Sequence, residues 1–541
     1  AALIDEYILR NKNQKPLKIL VTSFSYAALR VVFNNIIMSK NQDGTPTKAA
    51  HSTCAFMRSQ DREKVVVNEP YWDLTFRDKQ KTLVLERISE SAEGKISSQT
   101  EIVTKDTTEK LEDILSKDES NLILFGNAHQ LFHLHSTYSY RQDLRFIHRD
   151  FHFDLIVIDE ASQLPVNYFL SALQFIKKYR FYVCSDHFNA KAGNIISSPK
   201  ELEALYLSKN LNKKANKNEF QSNELTKVVI VGDQNQLPPV HPVKPPKKLE
   251  PILDNLFGYY CDHHSVPNKQ LEFNYRSNQK IVDFTNFLDI YTNQINAKTN
   301  ENAKINHSLK KIQDWNASHP FKLEKWIQEA LDPSKIMGTF IHNRKYETAV
   351  SELEADIVSK LIMGYYIMSM PNLKKTKNGE LENAELAFWQ EKLGVVAPHN
   401  AQGRLIIKKI YELFTECNLN FLTDQKLMNL LKTTVVSVEK FQGSARDVII
   451  ASIGISARDQ LMAETEFIYD LNRFNVLTSR ARKKFLLICS ENFLKFIPED
   501  RTLMKNAAKI RRFAYEFCTE SRIISASEEI NDTKLQFRYL K

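Results

Sequence analysis

The sequence predicts an α/β protein built on two parallel-sheet domains. Three observations predict it: short apolar runs recur along the chain, helical patterns lie between many of them, and most of the runs close on small, polar or acidic residues. Runs of Val, Ile and Leu without polar alternation fit strands buried on both faces, the condition of a parallel sheet. Patterns such as AALRVVFNNIIM and AQGRLIIKKIYELF supply helices between them.

Taken in order, the chain opens without Met on AALIDEYILRNK, which reads as the middle of a helix and so as the start of a fragment or a processed chain. LKILVTSFS (17–25), NLILFGNA (121–128), LIVIDEAS (155–162) and KVVIVGDQ (227–234) are the strands of a first domain, 1–257. Residues 56–116 carry EKVVVNEPYWDLTF and KTLVLERI and read as a small inserted β-rich subdomain. Residues 190–226, rich in Lys, Asn and Ser, read as a polar insertion, and PPVHPVKPP (238–246) as a stiff connector. LGVVAPHN (393–400), TTVVSVEK (433–440), DVIIASIG (447–454) and KFLLICSE (484–491) give a second domain, 258–500, with a partly helical insertion at 293–335. Residues 501–541 read as a helical tail.

Composition narrows the class. The 541 residues hold 74 Lys+Arg against 65 Asp+Glu, a net charge of +9 that fits a polyanionic partner and fits an ordinary basic surface equally well. Six scattered Cys without a Cys-x-x-Cys pair read as reduced thiols of an intracellular chain, cytoplasmic or nuclear. No apolar run has the length of a membrane span and no signal peptide is visible. Cys184-x-x-His187 and Cys261-Asp-His263-His264 hold metal-ligating residue types, but they lie far apart in sequence and surface histidines are the default reading.

The chemistry starts at FDLIVIDEASQLP (153–165), where Asp159 and Glu160 close a fully apolar strand. Ligands of open α/β sheets bind outside the carboxyl ends of the strands. There one carboxylate can hold the water shell of Mg²⁺ and the next can polarise an attacking water. Alone, the pair fits a helix N-terminus equally well. The order of the other runs changes the balance: GDQNQLPPV (232–240), NYRSNQKIVDFTN (274–286), VVAPHNAQ (395–402), VSVEKFQGSARDVII (436–450) and RFNVLTSRARKKFLLI (473–488) follow in turn.

With these six motifs in this order and spacing, the chain resembles the superfamily 1 helicases, in the branch of the nonsense-mediated-decay RNA helicase and the Okazaki-fragment nuclease-helicase. The resemblance covers most of the chain outside the insertions. It implies two RecA-like domains of the P-loop NTPase fold, with ATP and Mg²⁺ bound between them and single-stranded DNA or RNA as partner. It further implies ATP-driven movement along the strand, 5′→3′. Asp159 matches the Mg²⁺-holding acid, through water, and Glu160 the residue that activates the attacking water. Gln236 matches the γ-phosphate sensor, and Arg276 and Arg480 match the two arginines that reach the phosphates. Glu439, Gln442 and Gly443 match the run where the backbone approaches the nucleotide. The strand ends that line the single-strand channel match Thr22, Ser23, Ser25, Gly126, Asn127, His129, Pro398, His399, Gln402 and Ser437. Their hydroxyls, amides and backbone N–H groups suit phosphate contact without sequence reading. Phe24, Tyr26, His129 and His399 are candidates to stack on bases, with core packing the favoured reading of Phe24.

Two departures from the family pattern stand out. No glycine-rich loop ending in Gly-Lys-Ser/Thr occurs in 1–541, and the resemblance places that loop immediately upstream of Ala1. FQGSARD carries Ala445 where the family often has Glu. The alternative function is therefore a catalytically inactive helicase-fold module that binds nucleic acid or a protein partner, and further domains fused on either side fit both readings.

Overall fold

The computed structural model describes the chain apart from residues 12–14, 66, 68, 78–80, 91–95, 118, 136–144, 149–150, 178–224, 240–245, 247, 250–252, 265, 307, 320, 372–376, 420, 442, 525–532 and 541. The polar insertion expected at 190–226 lies outside the described residues except at its last two positions, as does most of the connector. The chain divides into two compact units, Ala1–Gln234 with Pro238–Val266, and Asn235–Leu237 with Pro267–Lys541. The first ends a few residues beyond the expected 257. The reason is local: the helix Leu256–His263 is held by the Leu256 N–H donating to the Leu164 carbonyl at 2.8 Å and by Tyr260 packed edge-on against Phe169.

Among the described residues the first unit holds one eight-stranded sheet. Its strands are β1 (Lys18–Ser23), β2 (Thr53–Ser59), β3 (Tyr71–Arg77), β4 (Thr82–Glu90), β5 (Ile96–Thr104), β6 (Leu122–Phe125), β7 (Leu155–Asp159) and β8 (Lys227–Ile230), in the order β5-β4-β3-β2-β6-β1-β7-β8. From β3 to β8 every pairing is parallel, and only the β3–β4 and β4–β5 pairings are antiparallel. Residues 56–116 are therefore not a separate subdomain. They extend the main sheet, because β2 pairs along β6 in register Thr53↔Leu122 and carries β3 beyond it. Both faces are covered, as the uninterrupted apolar runs require. Ile19, Val21, Leu155 and Val157 pack on one face with Leu29, Phe33 and Ile36 of the helix Tyr26–Ile37. Leu20, Ile156 and Ile158 pack on the other with Leu131 and Leu134.

The second unit opens with a short parallel ribbon, β9 (Phe273–Asn274) and β10 (Asn296–Ala297). Its sheet is β11 (Met337–His342), β12 (Leu393–Val396), β13 (Val435–Val436), β14 (Arg446–Ser452), β15 (Ala481–Ser490), β16 (Glu520–Ile524) and β17 (Leu535–Tyr539), in the order β13-β12-β14-β15-β11-β17-β16. The first five are mutually parallel. Leu486 and Ile488 face the helix Glu352–Ser369, while Phe485, Leu487 and Cys489 face Phe474 of the helix Leu471–Ser479. Two expectations are corrected. Residues 293–335 are partly helical, but Ile305, Ile312, Trp315, Leu323, Trp326 and Ile327 are buried in the core of this unit rather than set outside it. Among the described residues the tail is helical only over Arg501–Arg512 and the wide π-helical turn Phe513–Phe517 that continues it. It then returns as β16 and β17, and β17 pairs antiparallel with Gly338–His342 of β11. Among the described residues no helix is long and apolar enough to cross a membrane.

Candidate active site

In the first unit the acid pair stands at the carboxyl end of the sheet's interior strand β7. Asp159 is in register with Ser23, the last residue of β1. Glu160 then leaves the strand with φ +53°, a left-handed backbone that a non-glycine residue adopts at a cost. The bend is held from three sides. The Ala161 N–H donates to the Val231 carbonyl at 2.9 Å, the Gln163 N–H to the Glu160 carbonyl at 2.9 Å, and Gln163 Nε2 to Glu160 Oε2 at 2.6 Å. Behind the bend, Gly232 is required by space: a Cβ there would lie 2.9 Å from the Ser162 nitrogen and from Phe257. The glycine of GDQNQ thus lets the segment after β8 press against the acid turn.

Burial, reinforced by the charge of Glu160, pushes the Asp159 carboxyl up to about 6. Ser23 Oγ, fully buried opposite it, has no hydrogen-bond partner among the described residues. Two adjacent carboxylates, one held above its ordinary range, next to a buried hydroxyl left unsatisfied, are an all-oxygen set that suits Mg²⁺ and its water shell. The residues present fit the cation; the loop that would hold the phosphates of ATP has no counterpart in the sequence of 1–541.

In the second unit, residues far apart in sequence meet. Arg480 follows the helix Leu471–Ser479 and is only 2% exposed. Its Nη2 donates to Gln236 Oε1 at 2.7 Å, across 244 positions of sequence. Asn475 Nδ2 donates to the Asn235 carbonyl at 2.8 Å, so the helix and the residue that follows it each hold the Asn235–Leu237 segment. Asn475 was missed by sequence reasoning, although it lies within RFNVLTSRAR, five residues before Arg480. Arg276 is exposed, and its Nη1 lies 3.4 Å from the Ser479 carbonyl, beside Arg480. Ser277 Oγ donates to the Ala481 carbonyl at 2.8 Å and the Asn278 N–H to the Arg482 carbonyl at 2.8 Å, which fix NYRS against TSRAR.

The FQG turn follows the short helix Val438–Phe441. Gly443 has φ +79° with open space beside it, a conformation glycine alone adopts without strain. Glu439 is paired with Arg473, which also lies over the Phe467 ring, so its carboxylate is engaged within the protein. Gln442 lies outside the described residues.

The candidate channel residues separate into two groups. Thr22 is 3% exposed, Ser23 is fully buried and Gln402 is fully buried, so their side chains do not face solvent. Gln402 is moreover saturated: Oε1 accepts from the Ser351 N–H at 2.8 Å, and Nε2 donates to the Ser351 carbonyl at 3.2 Å and to Ser452 Oγ at 3.0 Å. It ties two helix starts to β14, and the expected strand contact is corrected to a structural one. Ser25 and Asn127 cap their own helices, Ser25 Oγ accepting from the Ala28 N–H at 3.0 Å and Asn127 exchanging two bonds with Gln130. Phe24 is 42% exposed at the turn after β1, not packed as expected. Tyr26 packs edge-on against Phe56. His129 is exposed and lies 3.3 Å from His133, whose ring burial holds down to about 4. Pro398, His399 and Ser437 are half-buried just past β12 and β13, and His399 Nε2 lies 2.8 Å from Glu464 Oε2. Cys184 and His187 lie outside the described residues, and among the described residues no group of three metal-ligating side chains gathers.

Comparison with known proteins meets this geometry. Residues 252–492 match the family described as AAA domain. The chain is 23% identical over 308 residues to the DNA replication ATP-dependent helicase/nuclease of Saccharomyces cerevisiae, covering 54% of this chain and 17% of that protein. It is 24% identical over 280 residues to an uncharacterized ATP-dependent helicase of Methanocaldococcus jannaschii, covering 50% of this chain and 33% of that one. With the DNA polymerase alpha-associated DNA helicase A of Saccharomyces cerevisiae it shares 25% identity over 297 residues, 50% of this chain and 36% of that one. The chain spans at most about a third of the length of these relatives. The resemblance to superfamily 1 helicases of the nuclease-helicase branch is borne out, and so is the α/β fold of two RecA-like domains.

Proposed function

We propose that this chain, similar as it is to ATP-dependent helicases, is the motor core of one: an ATP hydrolase that moves along single-stranded DNA or RNA, 5′→3′. The observation that carries the proposal is the 2.7 Å contact between Gln236 and Arg480. The resemblance gives Gln236 as the γ-phosphate sensor and Arg480 as an arginine that reaches the phosphates, from motifs 244 residues apart, and the two side chains meet with Arg276 alongside.

In this reading Asp159 would hold Mg²⁺ through water, and the cation, when bound, would neutralise phosphate charge. Glu160 would orient the attacking water and accept its proton, from a side chain already aimed by Gln163. Arg480 and Arg276 would offset charge on the phosphates as it grows, a role that contributes roughly 10³–10⁵ in turnover. Arg480 is buried, so its geometry is set before any nucleotide arrives. Residues 1–541 contain no lysine-bearing phosphate loop, and by themselves they would turn over ATP slowly. The setting proposed is intracellular, cytoplasmic or nuclear.

The test is strand-stimulated ATPase of the native protein with and without Glu160→Gln. The expected outcome is a fall of at least about 100-fold in turnover with strand affinity kept. An unchanged rate would overturn the assignment. A native protein that binds polynucleotide but shows no turnover at all would support the inactive module, which Ala445 favours.

A further inference from the structure

We infer that the loop Asn343–Tyr346, directly after β11, is a base-stacking contact for single-stranded nucleic acid, with Tyr346 as the stacking ring and Lys345 as its phosphate partner. The inference rests on the proposed function, since it extends the strand-binding edge of the second unit.

Position is the first argument. Parallel strands end on one edge, and through the registers Val396 at the end of β12 is level with Ala451, Leu487 and Thr339, so β11 runs three residues further than β12 before its loop begins. His342 pairs with Ser490 between β11 and β15, Ser452 with Ile488 between β14 and β15, Val396 with Ala451 between β12 and β14, and Val396 with Val436 between β12 and β13. The residues just beyond are 343–346, 397–399 and 437, so the loop emerges on the same edge as Pro398, His399 and Ser437. β11 is three strand positions from β12, about 14 Å along that edge.

Exposure is the second. Tyr346 is 90% exposed, by a wide margin the most exposed large apolar side chain among the described residues. Folding leaves such a ring in water at the loss of the burial an aromatic ordinarily gains. Single surface aromatics are common and mean little alone. This one is preceded by Arg344 and Lys345, both exposed, and exposed Arg458 opens the neighbouring helix Arg458–Ala463.

Rigidity is the third. A floppy loop would carry no pre-set platform, but this one is pinned on both sides of the ring. Asn343 Oδ1 accepts from the Lys534 N–H at 3.0 Å, and Arg344 Nε donates to Thr533 Oγ1 at 2.9 Å. The Glu347 carbonyl accepts from the N–H groups of Ser456 and Ala457 at 2.8 and 2.9 Å, the Glu347 N–H donates to Ser456 Oγ at 2.9 Å, and its carboxylate accepts from Ser351 Oγ at 2.7 Å. The acid of the loop, Glu347, is thus turned onto the protein, and an exposed ring on a backbone held to either side, with two cations before it, is left facing out. Stacking on an aromatic tolerates any base, and cations beside it track the backbone, the combination that sequence-independent single-strand binders use.

The test is equilibrium binding of fluorescent oligo(dT) and oligo(rU) to the chain across a salt series, for wild type, Tyr346→Ala, Tyr346→Phe and Lys345→Ala. Tyr346→Ala is expected to weaken binding about 5- to 100-fold to the preferred probe, while Tyr346→Phe stays within about 2-fold. Lys345→Ala is expected to flatten the slope of log affinity against log salt by about 0.7. Equal affinity of Tyr346→Ala and wild type would overturn this inference and leave the proposed function standing, as would an equal loss in Tyr346→Phe, which would assign the hydroxyl rather than the ring. A wild-type chain with no salt-dependent affinity for either probe would overturn both.

Discussion

At the scale of single residues, Asp159 shows how a reactive group strains its fold. An aspartate titrates near 3.8 when unfolded, and burial beside Glu160 moves this one to about 6. Between those values the folded chain binds the extra proton, so stability falls as pH rises from about 4 to about 6 and stays low above that. Asparagine removes the charge and keeps the shape. Asp159→Asn should therefore stabilise the first unit by about 1–3 kcal/mol at pH 7.5 and by little at pH 4, measured by urea unfolding at both. An equal effect at the two pH values would show that the charge is not the source. The residues that carry this chemistry were legible because their order along the chain is a pattern. Their partners were not. Glu439 reads as a free carboxylate beside a glycine turn until Arg473, 34 positions away, is found paired with it. Gln402 reads as a surface amide until Ser351 and Ser452 surround it.

At the scale of elements, a buried polar knot explains why the strand ends of the second unit hold their places. Glu354, fully buried in the helix Glu352–Ser369, receives bonds at its two carboxylate oxygens from His342 at 3.0 Å, Ser452 Oγ at 2.7 Å and the Gly454 N–H at 2.9 Å. One side chain thereby locks β11 and β14 to the same helix. Removing it leaves an imidazole, a hydroxyl and an amide buried without their acceptor. Glu354→Ala should cost the second unit about 3–5 kcal/mol, read as a lowered urea midpoint with the first unit's transition unchanged. A loss below about 1 kcal/mol would mean that the site rehydrates. The interior strands were legible because unbroken Val, Ile and Leu runs admit little else. The edge was not: the pieces in 56–116 were recognisable as strands, but which sheet they join depends on the pairing of β2 with β6, and pairing partners are not written locally.

At the scale of the whole chain, the C-terminal residues are part of a core rather than an appendage. Leu535 and Phe537 are each 2% exposed, and the Phe537 ring stacks on Phe340 of β11 at 4.6 Å. A chain cut after Phe517 would expose the edge of β11 and these apolar contacts together. It should lose its cooperative thermal transition in the second unit or aggregate, as followed by circular dichroism and size exclusion; a truncated chain that melts like the parent would make β16 and β17 dispensable. The sequence by itself determined the α/β class, the interior strands and the motif residues, because burial on both faces and reactive chemistry each demand particular residue types at particular places. Only the tertiary structure decided how the outer strands pair, which polar side chains are saturated within the protein, and that Gln236 meets Arg480, because those depend on contacts between segments far apart along the chain.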